Sequence, residues 1–215
     1  MEQEKLENLR TDYTASSLSE DSTKKDPIRQ FEVWFAEAEA ANVPERNAMN
    51  LATATPDGRP SARIVLLKGV HSDGFVFYTN YLSRKGKEIT KNPVCALTFF
   101  WPSMERQVRI EGTLEKVSKE MSEKYFHSRP VNSQIGAVAS PQSQEIGSRE
   151  ILEKKWEELA ASYEGKEVPK PSFWGGYIVK PRIIEFWQGR TSRLHDRIVY
   201  KKIDNKNWKK VRLAP

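Results

Sequence analysis

The chain has 215 residues, a formal net charge of +6, and 38% hydrophobic, 30% charged and 10% aromatic residues. These values are typical of a globular protein and exclude collagen, a coiled coil and full disorder. A single cysteine excludes an internal disulfide, and the three histidines are too scattered along the sequence to complete a Cys/His zinc site with it. No apolar run approaches the ~18 residues of a membrane span, and the first residues show no secretion signal. We therefore expect a cytoplasmic protein without a membrane partner or a metal.

The N-terminal 25 residues are polar and show no sustained hydrophobic period. They are predicted to form a mobile arm (1–25). Order is predicted from Asp26, because Asp26 followed by Pro27 is typical of a helix start. Apolar residues then recur at three- and four-residue steps, which predicts an amphipathic helix to about residue 42. We expect a single domain over 26–215.

Strand patterns dominate the rest of the chain. Turn residues such as Pro56, Asp57 and Gly58 separate strand-like runs into an antiparallel meander. Strands are predicted at 47–55, 61–68, 75–79, 94–101, 107–117, 176–179, 183–187, 197–202 and 208–213, and helices at 83–91, 118–126 and 148–163. This order lacks a βαβ rhythm and predicts a mainly β fold with helices (α+β), an antiparallel β-barrel.

Sequence motifs for nucleotide and hydrolytic chemistry are missing. The chain has no GxGxxG, no phosphate loop, no G-x-S-x-G elbow and no H-E-x-x-H. Its basic residues concentrate instead in 59–129 and 180–215, interleaved with apolar strand residues. That pattern favours the binding of a small anion over the coating of nucleic acid, although solvated charges on strand faces are the ordinary alternative.

A first basic cluster comprises Arg63, Lys68, Ser83, Arg84 and Lys85. If Arg63 and Lys68 share a strand, their odd separation points them to opposite faces. Arg84 and Lys85 open a predicted helix, whose free N–H groups favour a phosphate. A charged surface turn is the alternative, and by itself this cluster favours that alternative.

A second cluster runs from Tyr125 through His127 and Arg129 to Ser133. A tyrosine hydroxyl, a guanidinium and a serine hydroxyl on successive turns can converge on one phosphate. His127 has no partner in the sequence and is interpreted as a packed or surface histidine.

A third cluster contains Arg193, His195 and Arg197 at two-residue steps. In an extended segment these side chains point the same way and repel each other unless an anion lies among them. The pattern therefore favours a bound anion. Asp196 balancing the arginines is the alternative.

Long segments of the chain resemble the pyridoxamine 5′-phosphate oxidase family. The similar segments are RIVLLKG (63–69), FYTNYLSRKGKEI (77–89), ERQVRIEG (105–112), YFHSRPVNSQIGA (125–137), PSFWGGY (171–177), IEFWQG (184–189), RLHDR (193–197) and RLAP (212–215). The resemblance implies an FMN-binding split β-barrel that is a homodimer with FMN at the subunit interface. It also implies oxidation of pyridoxamine 5′-phosphate and pyridoxine 5′-phosphate to pyridoxal 5′-phosphate by hydride transfer from C4′ to flavin N5, with O2 as acceptor and H2O2 as product.

The same resemblance assigns residues to ligands. Residues expected to bind FMN are Arg63, Tyr78, Thr79, Ser83, Arg84, Lys85, Gln107, Gln142, Ser143, Trp187 and Arg197. Residues expected to bind the substrate are Arg10, Tyr13, Lys68, Tyr125, Arg129, Ser133, Arg193 and His195. Arg193 and His195 are the expected catalytic pair, with Arg193 covering the substrate ring and His195 handling protons. The acidic residues at 19–21 depart from the arms expected in relatives, so no regulatory role is assigned to the arm.

Two other functions fit part of the sequence. A noncatalytic flavin- or vitamin-binding split barrel would need the basic residues around Arg63 and Arg84 but not Arg193 and His195. A single-stranded nucleic-acid binder would use arginines and aromatic rings on a basic barrel, and the sequence pI is about 9.3. A yellow protein with flavin absorption would support the oxidase or the noncatalytic flavin binder and disfavour the nucleic-acid function.

Overall fold

The computed structural model describes residues 7–8, 12–204 and 207–215. These residues pack as two compact units. Unit 1 consists of the described residues within Met1–Asn50, Leu97–Glu111 and Pro181–Pro215, and unit 2 consists of Leu51–Ala96 and Gly112–Lys180. The single domain expected over 26–215 stays a prediction.

One sheet and a set of helices make up the fold. The strands are β1 (Ala48–Ala54), β2 (Pro60–Leu66), β3 (Gly69–His71), β4 (Gly74–Asn80), β5 (Val94–Trp101), β6 (Arg106–Lys116), β7 (Trp174–Gln188), β8 (Asp196–Lys202) and β9 (Trp208–Arg212). The helices are α1 (Pro27–Ala40), α2 (Arg84–Lys91), α3 (Lys119–His127), α4 (Val131–Ala139) and α5 (Arg149–Ser162).

The sheet runs in the order β2-β1-β5-β6-β7-β4-β3, with β8 paired to β7 and β9 to β8. The pairs β3–β4, β4–β7, β7–β8 and β8–β9 are antiparallel. This arrangement confirms the predicted fold class, a mainly antiparallel β fold with helices.

One predicted strand break is wrong, and one helix was missed. The strands predicted at 176–179 and 183–187 form the single strand β7, which continues through Pro181. Helix α4 was predicted by no sequence pattern, and it begins directly after Pro130. Both errors involve a proline, which marks a strand break or a turn in sequence but is tolerated at the start of a helix and at irregular strand positions.

Helix α1 builds the core of unit 1. The carboxylate of Asp26 accepts hydrogen bonds from the N–H groups of Ile28 and Arg29, as predicted for a helix start. The buried face of α1 carries Phe31 and Trp34. Phe31 packs at 5.0 Å from Phe99 of β5, and Trp34 packs edge-on at 5.1 Å from Phe186 of β7. Aromatic pairs of this kind hold the helix on the sheet.

Unit 2 positions its helices through local caps and one apolar cluster. Ser83 caps α2 by accepting a hydrogen bond from the N–H of Gly86, and Ser118 caps α3 in the same way. The cluster joins α3, α4 and the start of β7 through buried Phe126, Ile135 and Trp174. The apolar cluster therefore fixes α3 and α4 to the start of β7, and the serine caps define where α2 and α3 begin.

Residues 12–25 of the predicted N-terminal arm belong to unit 1. Leu18 and Thr23 are buried, and the hydroxyl of Tyr200 donates to the carbonyl oxygen of Lys24 at 2.6 Å. Its mobility stays a prediction. No helix among the described residues is long and apolar enough to cross a membrane.

Candidate active site

A cavity of about 650 Å³ lies in unit 2. Three of its lining residues are basic, Lys68, Lys85 and Arg129, and none of the described lining residues is acidic. Five other predicted site residues also line it: Tyr78, Thr79, Tyr125, Ser133 and Gln142. Asn80 and Trp174, which were not predicted, lie beside them on the wall. The composition of the wall therefore favours an anionic ligand.

Stacked aromatic rings form one side of the cavity. Tyr78 and Tyr125 stack with ring centroids 3.8 Å apart, and Trp174 lies nearly parallel at 5.5 Å from Tyr78. The Arg129 guanidinium carbon lies 4.9 Å from the Trp174 ring centroid. Nη1 of Arg129 is buried and donates a hydrogen bond to no atom of the described residues. This orphaned donor marks the position where a ligand oxygen would be stabilised.

Helical spacing brings Tyr125, Arg129 and Ser133 to the same cavity. Tyr125 lies in α3, Arg129 follows its end, and Ser133 lies in the first turn of α4. The carbonyl oxygen of Arg129 accepts a hydrogen bond from Nε2 of Gln134 at 2.8 Å, which ties the α3–α4 connection together. The predicted convergence of these three side chains is thus found. His127 is not among the lining residues described and contacts Glu123 at 3.5 Å.

A polar group lies on another part of the cavity wall. Nζ of Lys85 is 3.3 Å from Oγ1 of Thr79 and 3.2 Å from Oε1 of Gln142. Thr79 also contacts Gln142 at 3.2 Å. These three residues, all predicted to bind cofactor, are held together by their own hydrogen bonds.

Burial of these cations has an electrostatic cost. Burial, followed by the nearby Arg63 charge, lowers the pKa of Lys85, and burial also lowers the pKa of Arg129. Burial raises the pKa of Tyr125 and that of Tyr78, so both hydroxyls keep their protons at neutral pH. A bound anion would offset the cost of both cations, because an opposite charge favours the charged form.

Arg63 and Arg84 converge on a carboxylate, Glu88, that the sequence reasoning missed. Glu88 lies in α2 with 6% of its side chain exposed, and its oxygens contact Arg84 Nε at 2.9 Å and Arg63 Nη2 at 3.3 Å. Burial raises the pKa of Glu88, but hydrogen bonds from Ser61, Thr53 and both arginines outweigh it and lower the pKa to about 2. Glu88 thus fixes the two arginines at the start of α2.

The remaining residues of the first cluster take separate positions. Lys68 lies beyond the end of β2, so the premise that Arg63 and Lys68 share a strand is wrong. They nevertheless reach different surroundings, Lys68 the cavity and Arg63 the carboxylate of Glu88. Ser83 is buried as the α2 cap, and Ser143 is exposed after α4 with a φ of 68°.

A second group of predicted site residues lies in unit 1. The Trp187 and His195 ring centroids are 4.7 Å apart, and the Tyr13 ring lies 5.7 Å from each of them. Nδ1 of His195 accepts a hydrogen bond from the N–H of Arg190 at 3.1 Å. Neutral His195 therefore carries its proton on Nε2, as assigned from this hydrogen bond.

The segment around Arg193 is not extended as predicted. Residues Thr191–Arg193 form a short 3-10 turn, and β8 begins only at Asp196. Ser192 and Arg193 both have positive φ, 55° and 61°, a conformation that strains non-glycine residues by roughly 1 kcal/mol or more. The turn leaves Arg193 exposed, and its role as a cover of the substrate stays a prediction.

Within the third cluster, the charge of Arg197 is compensated by a carboxylate of the chain itself. Arg197 forms a two-point ion pair with Glu185 of β7, and Asp196 contacts Arg190 and Arg212 instead. Asp196 therefore balances Arg190 and Arg212, and not Arg193 and Arg197 as the sequence alternative supposed. Gln107 lies on β6, and Arg10 lies outside the described residues.

Comparison with known proteins identifies the family. Residues 35–163 match the family model described as pyridoxamine 5′-phosphate oxidase, and residues 174–215 match the pyridoxine 5′-phosphate oxidase C-terminal dimerisation region. The chain belongs to the pyridoxamine 5′-phosphate oxidase family.

Relatives named pyridoxine/pyridoxamine 5′-phosphate oxidase align over almost the whole chain. The protein from Leptospira interrogans is 56% identical over 98% of this chain and 99% of its own length. The protein from Rubrobacter xylanophilus is 57% identical over 98% of this chain and 96% of its own length. The predicted family is confirmed.

Solved structures of similar fold include a more distant relative and a fold neighbour. PhzG from Burkholderia lata, in complex with tetrahydrophenazine-1-carboxylic acid, is 33% identical with a TM-score of 0.88, covering 94% of this chain and 99% of its own. A pyridoxamine 5′-phosphate oxidase-related, FMN-binding protein from Nostoc punctiforme is 18% identical with a TM-score of 0.69, covering 93% of this chain and 100% of its own. The second likeness shows the fold alone and confirms the predicted split barrel.

Proposed function

We propose that this protein is an FMN-dependent oxidase that converts pyridoxamine 5′-phosphate and pyridoxine 5′-phosphate to pyridoxal 5′-phosphate. Its relatives of that name share more than half of their residues with it over nearly their full length. The observation that carries the proposal is the composition of the cavity of unit 2. Three of its lining residues are cations, and none of the described lining residues carries a carboxylate. A phosphorylated aromatic substrate matches such a site, because it offers a dianion for the cations and a ring for the aromatic wall.

The substrate phosphate is assigned to Arg129, Tyr125, Ser133 and Lys68. Arg129 supports this assignment most directly, since its buried Nη1 lacks a partner among the described residues. The hydroxyls of Tyr125 and Ser133 add neutral donors, and exposed Lys68 adds charge. Holding the phosphate at one end orients the reacting carbon, and orientation of this kind contributes up to ~7 to 11 kcal/mol of barrier reduction in favourable cases.

FMN fits the other donors of unit 2. Lys85, Thr79 and Gln142 are already hydrogen-bonded to one another on the cavity wall, and burial of Lys85 without a lining carboxylate favours a cofactor anion there. Arg63 and Arg84, which Glu88 holds in place, are assigned to the FMN phosphate together with Ser83 and Ser143. Tyr78, Gln107, Trp187 and Arg197 are assigned to the rest of the cofactor. Bound there, FMN would supply the two-electron oxidation at substrate C4′, with O2 as the final acceptor and H2O2 as the product. With the amine substrate, water would complete the conversion to the aldehyde and ammonia would be released.

Two residues of unit 1 are assigned to the reacting end of the substrate. His195 is suited to hold or move a proton at Nε2, because its Nδ1 is occupied by the Arg190 N–H. Arg193 is assigned to bind the substrate ring and its phenolate oxygen, because its guanidinium offers several hydrogen-bond donors. Tyr13 and Arg10 of the arm are assigned to cover the substrate.

The working form is proposed to be a homodimer with FMN at the subunit interface. Residues 174–215 match a C-terminal dimerisation region. Large apolar side chains are also exposed in each unit, among them Ile64 at 66% and Leu194 at 70%. Exposed apolar residues of this size are typical of an interface between subunits. A cytoplasmic location is part of the same proposal.

Turnover in air tests the proposed function. Purified protein is mixed with FMN and pyridoxamine 5′-phosphate, and formation of the aldehyde product and of H2O2 is followed. We expect a yellow holoprotein and stoichiometric aldehyde and peroxide. A yellow protein without turnover would favour the noncatalytic flavin-binding function, and a colourless protein that retains single-stranded nucleic acid would favour the other alternative.

A further inference from the structure

The carboxylate of Glu105 holds the arm directly after Tyr13. Its Oε1 accepts a hydrogen bond from the N–H of Thr14 at 3.2 Å, and its Oε2 accepts one from the N–H of Ala15 at 2.9 Å. The two partners lie about ninety residues away in sequence. Each carboxylate oxygen thus fixes one of two consecutive peptide groups, which sets both the position and the direction of the arm.

Glu105 is itself fixed by its backbone. It follows the 3-10 turn Pro102–Met104 in the left-handed conformation, with a φ of 54°. Its carbonyl oxygen accepts hydrogen bonds from the N–H of Gly189 at 2.7 Å and from Nε2 of Gln188 at 3.3 Å. The side chain that holds the arm therefore projects from a point joined to the end of β7.

Tyr13 contacts the same end of β7. A Cβ atom at Gly189 would lie 2.7 Å from Cγ of Tyr13 and 2.9 Å from Cβ of Glu105, so the arm lies directly on the Gly189 backbone. There the Tyr13 ring makes edge-to-face contacts with the rings of Trp187 and His195. The glycine thus permits a close approach that any larger residue would block.

A second set of contacts holds the arm further along. Leu18 is 5% exposed, and its N–H donates to Oδ2 of Asp196 at 3.0 Å. Nη1 of Arg190 donates to the carbonyl oxygen of Ser16 at 3.2 Å. Loss of the Glu105 contacts would therefore release residues 13–15 locally, while the arm from Leu18 onward stays in place.

We propose that Glu105 is a positioning residue that holds Tyr13 against Trp187 and His195. This inference rests on the proposed function, in which Tyr13 covers the substrate. The role requires a carboxylate, because both oxygens accept from backbone N–H groups. A glutamine of the same size has one accepting oxygen and an NH2 group that would face the second N–H donor.

The test combines hydrogen exchange with a double-mutant cycle on the FMN-loaded enzyme. Amide exchange is measured for Thr14 and Ala15 in wild type, Glu105→Gln and the matched control Glu111→Gln, whose exposed carboxylate contacts Arg109 on the same strand. Steady-state constants for pyridoxamine 5′-phosphate are measured for the same proteins, for Tyr13→Ala, and for Tyr13→Ala combined with Glu105→Gln.

We expect faster exchange at Thr14 and Ala15 in Glu105→Gln and no change in Glu111→Gln. The Michaelis constant of Glu105→Gln should rise about tenfold, the effect of losing one charge-assisted hydrogen bond. Its kcat should stay near wild type, because saturating substrate restores the closed arm. In the Tyr13→Ala background the additional rise should vanish, since Glu105 acts through Tyr13.

Two results would overturn the inference. Unchanged exchange at Thr14 and Ala15 would show that Glu105 does not hold the arm. An equal rise of the Michaelis constant with and without Tyr13 would show that Glu105 acts by another route. If wild type itself lacks turnover, the proposed function fails and the exchange measurement still decides whether Glu105 anchors the arm.

Discussion

Arg197 and Glu185 form a two-point ion pair between β8 and β7. Nε of Arg197 donates to Oε1 of Glu185 at 2.8 Å, and Nη2 donates to Oε2 at 3.1 Å. Only 8% of the Glu185 side chain is exposed, and hydrogen bonding to Glu185 raises the pKa of Arg197. Within the described chain, the other ion-pair partner of Glu185 is Arg109 at 3.5 Å. Glu185 therefore depends on Arg197 for most of its compensation.

Replacing Arg197 by methionine should destabilise the fold. Arg197→Met leaves a buried carboxylate without its main partner, and we expect the free energy of unfolding to fall by about 3 kcal/mol. The double variant Arg197→Met with Glu185→Met should recover most of this loss, because no charge then stays uncompensated. Urea unfolding of the FMN-free proteins at one protein concentration measures both, so that a change in cofactor affinity does not enter the comparison. A double variant as unstable as the single one would contradict this explanation.

Gly86 occupies a position in α2 that has no room for a side chain. A Cβ atom there would lie 2.1 Å from the carbonyl oxygen of Tyr81. Gly86→Ala should therefore shift the start of α2 and cost about 1 to 3 kcal/mol of stability. FMN affinity should fall as well, because Lys85 and Arg84 belong to the same helical turn.

The other helical glycine provides the control for this variant. A Cβ atom at Gly136 of α4 would meet no other atom within 4 Å. Gly136→Ala should stabilise the protein by roughly 0.5 to 1 kcal/mol through helix propensity. Thermal or urea unfolding of both variants checks the contrast, and equal stability changes would show that the Tyr81 contact is unimportant.

Glu88 should make stability depend on pH in the acidic range. Its pKa is lowered from an ordinary 4.5 to about 2 in the folded protein, so its stabilisation is present above pH 4.5. That stabilisation is lost as the pH falls from about 4.5 towards 2, and it amounts to on the order of 3 kcal/mol.

The variant Glu88→Gln isolates this contribution. It should be less stable than wild type at pH 7, and the difference should shrink as the pH is lowered to 3. Glu20 also has its pKa lowered to about 2 by Arg212, but both proteins share that residue. Urea unfolding at several pH values gives the difference. A gap that stays constant from pH 7 to pH 3 would assign the loss to packing and not to charge.

Local chemistry made much of the fold predictable. The helix start at Asp26 was predicted from residue type and position, and its carboxylate accepts the hydrogen bonds expected of a helix cap. Helix α4 was missed because its sequence VNSQIGAVA carries few strong helix formers and follows Pro130. Its apolar cluster with Trp174 stabilises it, and such long-range packing is invisible to a local pattern.

The candidate site was predictable where its residues share one helix or connection. Tyr125, Arg129 and Ser133 are spaced four residues apart and were expected to converge, as they do at the cavity of unit 2. The missed residues are the carboxylates Glu88, Glu105 and Glu185. Glu105 and Glu185 meet partners from other elements, so spacing gave no signal for them. Glu88 also pairs with Arg84 four residues before it in α2, a spacing that could have revealed it.

Arg129 and Lys85, which line the cavity of unit 2, are expected to bind different ligands, Arg129 the substrate and Lys85 the cofactor. Arg129→Ala removes the cation with the orphaned donor and should raise the Michaelis constant for pyridoxamine 5′-phosphate by roughly tenfold to a hundredfold, with FMN affinity nearly unchanged. Lys85→Ala removes the cation bonded to Thr79 and Gln142 and should do the reverse. FMN fluorescence titration and steady-state kinetics at saturating FMN measure the two effects.

The contrast between these variants decides the assignment, since both lose one half-buried cation from the same cavity. Both must first be shown to be folded and to keep the wild-type oligomeric state, because misassembly would impair both ligands together. Arg129→Ser is a useful third variant, as inorganic phosphate should then protect it from unfolding less than it protects wild type. If folded Arg129→Ala lost FMN and kept its Michaelis constant, the phosphate of the cofactor would occupy the end of the cavity assigned here to the substrate.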